Sequence, residues 1–240
     1  MGNAVTVHPL KIVYLIINYK LKGCARHKFR DKKMKKIIFT IIVAVMLSSC
    51  GTAYRGVYTV GLSEVERPEN IKERYGESKI VNFEEEGKTK YSYEDELIKI
   101  VWIPQYTQFL FKLENKSDNT IKIIWDEAAY VDVNGSSGRI MHSGVKYIDK
   151  NNSQPPTVVT KKSSINDVIV PTENIYYESG QYGGWQEKPL FVSTASSEEI
   201  LNNVVKKYLG KTVKILLPLQ IQETVNEYIF SFKIEGFNRK

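Results

Sequence analysis

The sequence predicts a mainly β protein, an antiparallel β-sandwich with one short α-helix near the carboxyl end. Short apolar or alternating segments, separated by turn-forming residues, recur about every 8–12 residues, which is the spacing of a sandwich or barrel. Only residues 198–209 carry an apolar stripe at helical period. We therefore place the sandwich domain over residues 96–240. Residues 50–95 are richer in charge and turn formers, and we expect a tether with one or two peripheral strands there.

The first strands of the domain are predicted from alternation. Residues 106–113 place Phe109, Phe111 and Leu113 on one face at period two, and a second alternating segment follows over 120–125. Because six residues rich in turn formers separate the two segments, the pattern predicts an antiparallel hairpin.

A second hairpin is predicted where residues 129–133 and 139–141 flank Asn134-Gly135, since this dipeptide supplies the positive φ of a tight turn. Pro218 is expected to mark an edge or a bulge, because proline cannot donate to a sheet ladder. The remaining strands are predicted at 97–103, 145–148, 157–159, 165–170, 175–177, 213–221 and 228–234.

One helix is predicted near the carboxyl end. Ser196 and Glu199 have the spacing of a capping box, and Gly210 supplies a carboxyl-terminal stop. The apolar stripe between these signals consists of Ile200, Leu201, Val204, Val205, Tyr208 and Leu209.

The amino-terminal third carries a targeting signal. Met34 opens a short basic segment, and residues 37–47 form an apolar run of eleven residues before Ser48 and Ser49. This order is that of a secretory signal peptide, here 34–49. Eleven helical residues rise only about 16 Å, which is too short for a hydrocarbon core of about 30 Å.

The residues Leu47-Ser48-Ser49-Cys50 resemble the lipobox of bacterial lipoprotein precursors. The resemblance implies that the Cys50 thiol is diacylated and that Cys50 becomes the new amino terminus, so the membrane is a partner through this lipid. Several acyl chains hold a soluble domain on a bilayer durably. We interpret residues 1–33 as an upstream extension from a misassigned start, with Met34 as the initiator.

The basic charge of the sequence is concentrated in its first fifty residues. Residues 1–50 carry ten basic side chains and one acidic one, which leaves 24 basic and 26 acidic side chains in 51–240. This near-neutral body lacks the basic footprint of a nucleic-acid-binding protein.

The residues after Cys50 indicate where a lipoprotein with this signal would be located. By resemblance to the sorting rules of enteric bacteria, Gly51 indicates the outer membrane. The acidic residues of surface-exported lipoproteins in Bacteroides-like organisms are missing, which favours a domain facing the periplasm.

A second resemblance concerns the fold. A loose F-x-L-x-N motif with a nearby Ser, an I-x-I strand and a D-x-x-G loop resemble the opening of immunoglobulin-like envelope domains, and this resemblance implies an immunoglobulin-like sandwich. The residues that carry it are Phe111, Leu113, Asn115, Ser117, Ile121, Ile123, Asp132 and Gly135.

Catalytic groups are scarce after Cys50. His142 is the only histidine there, no G-x-S-x-G elbow is present, and Ser143 would point to the opposite face of a strand. With one cysteine and one histidine, residues 50–240 cannot assemble a Cys/His metal site, and we expect no cofactor. We predict a non-catalytic protein, with an envelope hydrolase using His142 as an alternative.

The most suggestive cluster contains Tyr176, Tyr177, Tyr182 and Trp185, interspersed with glycines. Flat amphipathic rings suit sugar platforms and protein interfaces. We favour a second interpretation of this segment, a long loop whose aromatic rings seal the open end of the core. The lipobox and the scarcity of catalytic groups favour a lipid-anchored envelope protein that presents a binding or assembly surface to another envelope component. The alternative partner is a glycan bound by this loop.

Overall fold

The computed structural model describes residues 53–67 and 76–240, all of which belong to one compact unit. The predicted extension, signal peptide and lipid-bearing Cys50 lie outside the described residues. The strands are β1 (Tyr54–Glu66), β2 (Lys79–Glu85), β3 (Lys88–Glu94), β4 (Ile98–Pro104), β5 (Phe109–Asn115), β6 (Ile121–Ile123), β7 (Ala129–Val131), β8 (Ser137–Met141), β9 (Thr157–Val159), β10 (Ser164–Pro171), β11 (Ile175–Glu178), β12 (Gly184–Glu187), β13 (Thr194–Ala195), β14 (Thr212–Ile221) and β15 (Thr224–Arg239). The one described α-helix is α1 (Glu198–Tyr208).

Thirteen strands form one antiparallel sheet, in the order β13-β1-β15-β14-β7-β8-β10-β5-β4-β3-β2. Strand β6 pairs with both β14 and β9, while β11 and β12 form a separate two-stranded sheet. The prediction of a mainly β, antiparallel fold with one short helix near the carboxyl end is therefore confirmed.

The sheet curls strongly into a half-barrel because two strands change partners along their length. Residues 214–216 of β14 pair with β7, whereas 219–221 pair with β6. Strand β10 pairs first with β5 and then, at its end, with β8. The curl brings distant strands face to face, so that the Trp102 ring of β4 lies 5.0 Å from Phe230 and 5.5 Å from Phe232 of β15.

Alternation along the strands fills the inside of the curl. Strand β5 buries Phe109, Phe111 and Leu113 and exposes Lys112 between them, as its period-two pattern predicts. Strand β15 is the longest strand and lies between β1 and β14, so its inward residues reach much of the core.

The hairpin predicted over residues 106–125 is not formed. Strand β5 pairs with β4 and β10, whereas β6 pairs with β14 and β9, so the chain crosses the core between them. The hairpin of β7 and β8 is confirmed, with Gly135 at φ +85° in its turn. Residues 145–148, predicted as a strand, instead enter a 3-10 helix at Tyr147–Asp149.

Where the sequence predicted a tether with peripheral strands, the structure places β1, β2 and β3 in the main sheet. Strand β1 lies between β13 and β15, and β3 buries Tyr91 and Tyr93 in the core.

The amino-terminal cap of helix α1 lies one residue later than the sequence predicts. Ser197, not Ser196, accepts the hydrogen bond from the Ile200 amide. Gly210 has φ +78° and follows the last turn, as expected of a carboxyl-terminal stop. Of the predicted apolar stripe, only Leu201 and Val205 are buried. The helix packs on β13 and β1, at one edge of the sheet.

Pro218 lies at neither an edge nor a bulge. Strand β14 pairs with β7 up to residue 216 and with β6 from residue 219, and the backbone nitrogen of Pro218 points to the unpaired stretch between them. The missing N–H of Pro218 therefore removes no ladder bond. The Pro218 carbonyl accepts a hydrogen bond from the Ile124 amide across the same stretch.

Candidate functional site: an aromatic hairpin and a buried histidine

The predicted aromatic segment forms a hairpin outside the main sheet. Strands β11 and β12 pair over four residues, from Ile175 opposite Glu187 to Glu178 opposite Gly184. Ile175 is buried with Met141 and Val170, which fixes the base of the hairpin to the domain. Of the other strand residues, only Gly184 and Glu187 are half-buried and the rest are exposed, so the hairpin offers side chains that the core does not use.

Three rings line one face of this hairpin. Tyr177 lies directly opposite Trp185, with ring centroids 5.5 Å apart and planes at 73°. Tyr147, from the 3-10 helix, contacts the same indole at 6.3 Å and 70°. We call Tyr147, Trp185 and Tyr177 the aromatic row. Tyr177 is 63% exposed and Trp185 38% exposed.

The other two predicted residues do not join the aromatic row. Tyr176 points to the opposite face, where the Lys188 ammonium lies 5.3 Å from its ring centroid. Tyr182 is in the turn and is 92% exposed. The expectation that these aromatic residues seal the core is wrong, because all four are exposed.

Sequence reasoning missed Tyr147, which completes the aromatic row. Its hydroxyl donates a hydrogen bond to the Glu187 carboxylate at the base of β12. This bond, with partial burial and the negative charge of Glu187, raises the pKa of Tyr147 to about 12. The segment was predicted as a strand, and no sequence signal linked it to the hairpin. The hydrogen bond holds the Tyr147 ring against Trp185.

The polar side chains of the hairpin are divided between its two faces. Because side chains alternate along a strand, the half-buried Glu187 lies on the face of Trp185, whereas the exposed Glu178, Gln186 and Lys188 lie on the face of Tyr176. An aromatic row with a carboxylate on the same face can bind a ligand that is apolar on one side and polar at its edge.

The second candidate group surrounds His142. Its Nδ1 lies 3.3 Å from Asp167 Oδ2 on β10, and the Ser143 amide donates to the other Asp167 oxygen at 2.8 Å. Burial alone would raise the pKa of the Asp167 carboxyl. The hydrogen bonds from His142 and from the amides of Ser143 and Val168 outweigh it and hold this pKa below its ordinary value.

A histidine oriented by a carboxylate is one part of a hydrolytic site, but the rest of the arrangement differs from such a site. The imidazole stacks on the Trp125 indole, and its Nε2 is buried without a hydrogen-bond partner among the described residues. A general base must reach a hydroxyl through this nitrogen. As packed, the pair orients the imidazole ring and joins the end of β8 to β10.

Within residues 53–67 and 76–240, no three His, Cys, Asp or Glu side chains come together as a metal site. No helix in this part of the chain is long and apolar enough to span a bilayer.

Neither a family model, nor a curated protein, nor a solved structure matches the chain.

Proposed function

We propose that the protein is a lipid-anchored, non-catalytic lipoprotein of the bacterial cell envelope. Its β domain presents the aromatic row to another envelope component. The sequence Leu47-Ser48-Ser49-Cys50 supports the anchor, and Gly51 supports the outer membrane. The lack of acidic residues just after Cys50 supports a domain that faces the periplasm. The immunoglobulin-like sandwich stays part of this proposal, supported by the motif that contains Asn115 and Ser117.

The observation that carries the binding function is the placement of two rings of the aromatic row on a separate hairpin. Tyr177 and Trp185 belong to a two-stranded sheet, and only its base residue Ile175 enters the domain interior. Exposed apolar side chains that lie together and are rimmed by polar residues mark interaction sites more than single exposed residues do. Tyrosine and tryptophan are also the residues enriched where proteins bind partners.

A glycan is the second candidate partner, favoured by the exposed indole of Trp185. Sugar rings present an apolar face to an aromatic ring and hydroxyls at their edge. Trp185 offers such a ring, and the Glu187 carboxylate lies on the same face as an acceptor. A protein partner would use the same rings as anchors in a larger contact.

The anchor is tested by labelling cells with a palmitate analogue. The native protein should carry the label, and the Cys50→Ser variant should not. Equal labelling of both proteins would refute lipid attachment at Cys50.

The binding surface is tested by chemical cross-linking in cells and by a carbohydrate panel, each with Trp185→Ala and Tyr182→Ala. Loss of a cross-linked protein in Trp185→Ala alone supports a protein partner at the aromatic row. Loss of a glycan signal in Trp185→Ala alone supports the second candidate. Tyr182→Ala is the matched control, because it removes an exposed ring from the same hairpin outside the row. Equal behaviour of both variants and the native protein would refute this site.

A further inference from the structure

Strand β2 is an edge strand with an apolar centre. All seven of its residues are exposed, including Ile80 (40%), Val81 (38%) and Phe83 (38%). Within residues 53–67 and 76–240, it pairs only with β3, and nothing pairs with its other edge. Exposed edges of this kind are templates for another strand, and the strand has no proline to prevent it.

We propose that β2 pairs antiparallel with β2 of a second copy of this chain, about a twofold axis at Asn82. The sheet of one copy would continue into the sheet of the other. Two identical strands paired in this way form a self-complementary contact, as a twofold interface requires.

The ladder of the β2–β3 hairpin shows which backbone groups are free. The Asp95 amide donates to the Ile98 carbonyl between β3 and β4, so odd-numbered residues of β3 bond to β4. Even-numbered residues of β3 therefore bond to β2, and their partners are odd-numbered. The amides and carbonyls of Ile80, Asn82 and Glu84 consequently point away from β3, toward the free edge.

These free groups and the side charges favour one register. With Asn82 opposite Asn82 of the second copy, Ile80 lies opposite Glu84, and all three outward residues form hydrogen-bonded pairs. Lys79 then lies opposite Glu85 at both ends of the contact, so opposite charges meet twice. A shift that placed Glu84 opposite Glu84 would lose outward pairs and bring like charges together.

The apolar residues meet in the same register. Val81 lies opposite Phe83 of the second copy, and the twofold axis repeats this pair. The four side chains lie on one face, at positions where cross-strand neighbours are closest. The contact thus joins exposed apolar groups at its centre and opposite charges at its ends.

The test is co-purification of two differently tagged copies of the full chain from one cell, after detergent extraction. Native copies should co-purify. Two Lys79→Glu copies, or two Glu85→Lys copies, should co-purify about tenfold less, since like charges then meet at both ends. A Lys79→Glu copy with a Glu85→Lys copy should recover the native level, because opposite charges then meet at both ends, in one pair reversed and in the other as in the native contact.

Two further variants keep the result interpretable, because Glu85→Lys also loses the ion pair of Glu85 with Lys90. Asn82→Pro removes an outward amide and no bond to β3, so it should reduce co-purification with a native thermal midpoint. Lys161→Glu, an exposed lysine far along the chain, should leave it unchanged. The proposal is overturned if native copies do not co-purify, if all pairs co-purify equally, or if the mixed pair stays as low as the like pairs.

Discussion

The imidazole of His142 lies flat on the indole of Trp125, with ring centroids 4.2 Å apart and 4° between the planes. Trp125 Nε1 donates to Thr157 Oγ1 on β9 at 2.7 Å, while His142 Nδ1 faces Asp167 on β10. The stack therefore connects the 3-10 helix at Trp125–Glu127 to two strands that lie in different parts of the curl. This arrangement stabilises the place where the sheet changes partners.

Replacing Asp167 by Asn should destabilise the domain by about 1–3 kcal/mol, the cost of weakening hydrogen bonds to a buried charged group. The Asp167 side chain is 5% exposed, so water cannot replace the lost bonds. Urea unfolding at pH 7 measures the difference. Glu114→Gln, on the neighbouring strand β5 and exposed, is the control and should leave the midpoint unchanged. Equal stability of Asp167→Asn and the native protein would contradict the role assigned to this carboxylate.

The Asp167 carboxylate should also make the free energy of unfolding depend on pH in the acidic range. Because the pKa of Asp167 is lowered in the folded protein, its contribution is fully present above the ordinary Asp pKa of about 3.9 and is lost as pH falls through the folded value. The stability difference between the native protein and Asp167→Asn should therefore shrink below about pH 4. Urea unfolding at a series of pH values checks this, and a difference that stays constant down to the lowest pH would disprove it.

Asn115 should be among the most sensitive polar positions. It is fully buried, and its amide nitrogen donates to the carbonyls of Asn119, Val159 and Thr160 at 2.7–3.1 Å. Its oxygen accepts from the amide and hydroxyl of Ser117. Asn115→Ala leaves these partners unsatisfied and should cost about 3 kcal/mol in the free energy of unfolding.

The matched variant for Asn115 is Ser117→Ala, which removes one hydroxyl from the same network. It should cost about 1 kcal/mol, since the other bonds of Asn115 remain. Chemical denaturation measures the loss in the free energy of unfolding for each variant, and the loss should be larger for Asn115→Ala than for Ser117→Ala. The network would be unimportant if the two losses were equal and small.

The Tyr147 hydroxyl should contribute to stability up to alkaline pH. Its pKa is raised to about 12 in the folded protein, so its contribution is present below the ordinary tyrosine pKa of about 10 and is lost as pH rises to 12. Tyr147→Phe should cost about 1 kcal/mol at pH 7, and the difference should shrink above pH 10. NMR of tyrosines labelled at Cζ, assigned with this variant, measures the titration. A midpoint near 10 would show that the bond to Glu187 does not persist in solution.

Gly56 should not tolerate a side chain. A Cβ built there would lie 2.5 Å from the Asn238 carbonyl oxygen and 2.3 Å from the Phe237 ring, so the β1–β15 ladder would have to move. Gly56→Ala should lower the thermal midpoint by several degrees, as overpacking of a few kcal/mol would. Gly236→Ala is the matched control, because its nearest neighbour, on Thr59, is at an ordinary 3.7 Å. Equal midpoints for the two variants would contradict the close approach.

The sequence predicted which face of a strand is buried better than it predicted which strands pair with each other. Alternation correctly placed Phe109, Phe111 and Leu113 inside, because burial on one face is a local property of a strand. It could not show that β5 and β6 separate, since pairing depends on strands distant along the chain. The bonds of Asn115 to the β9–β10 turn direct the chain across the core, and residue type alone does not reveal such contacts.

The aromatic site was predicted in part for the same reason. Tyrosine, tryptophan and glycine in one segment indicated a surface or a lid, and composition does not distinguish the two. The exposure of Tyr177 follows from the position of the hairpin outside the main sheet. The contact of Trp185 with Tyr147 joins two distant segments, so no local pattern could predict it.

The central position of β15 determines when the domain can form during its synthesis. It is the last described strand to leave the ribosome, yet it lies between β1, made first among them, and β14. Until β15 emerges, β1 lacks its main neighbour, and the Trp102 ring lacks Phe230 and Phe232. A nascent chain of this protein therefore cannot complete the described sheet, or close the core around Trp102, before β15 has left the ribosome.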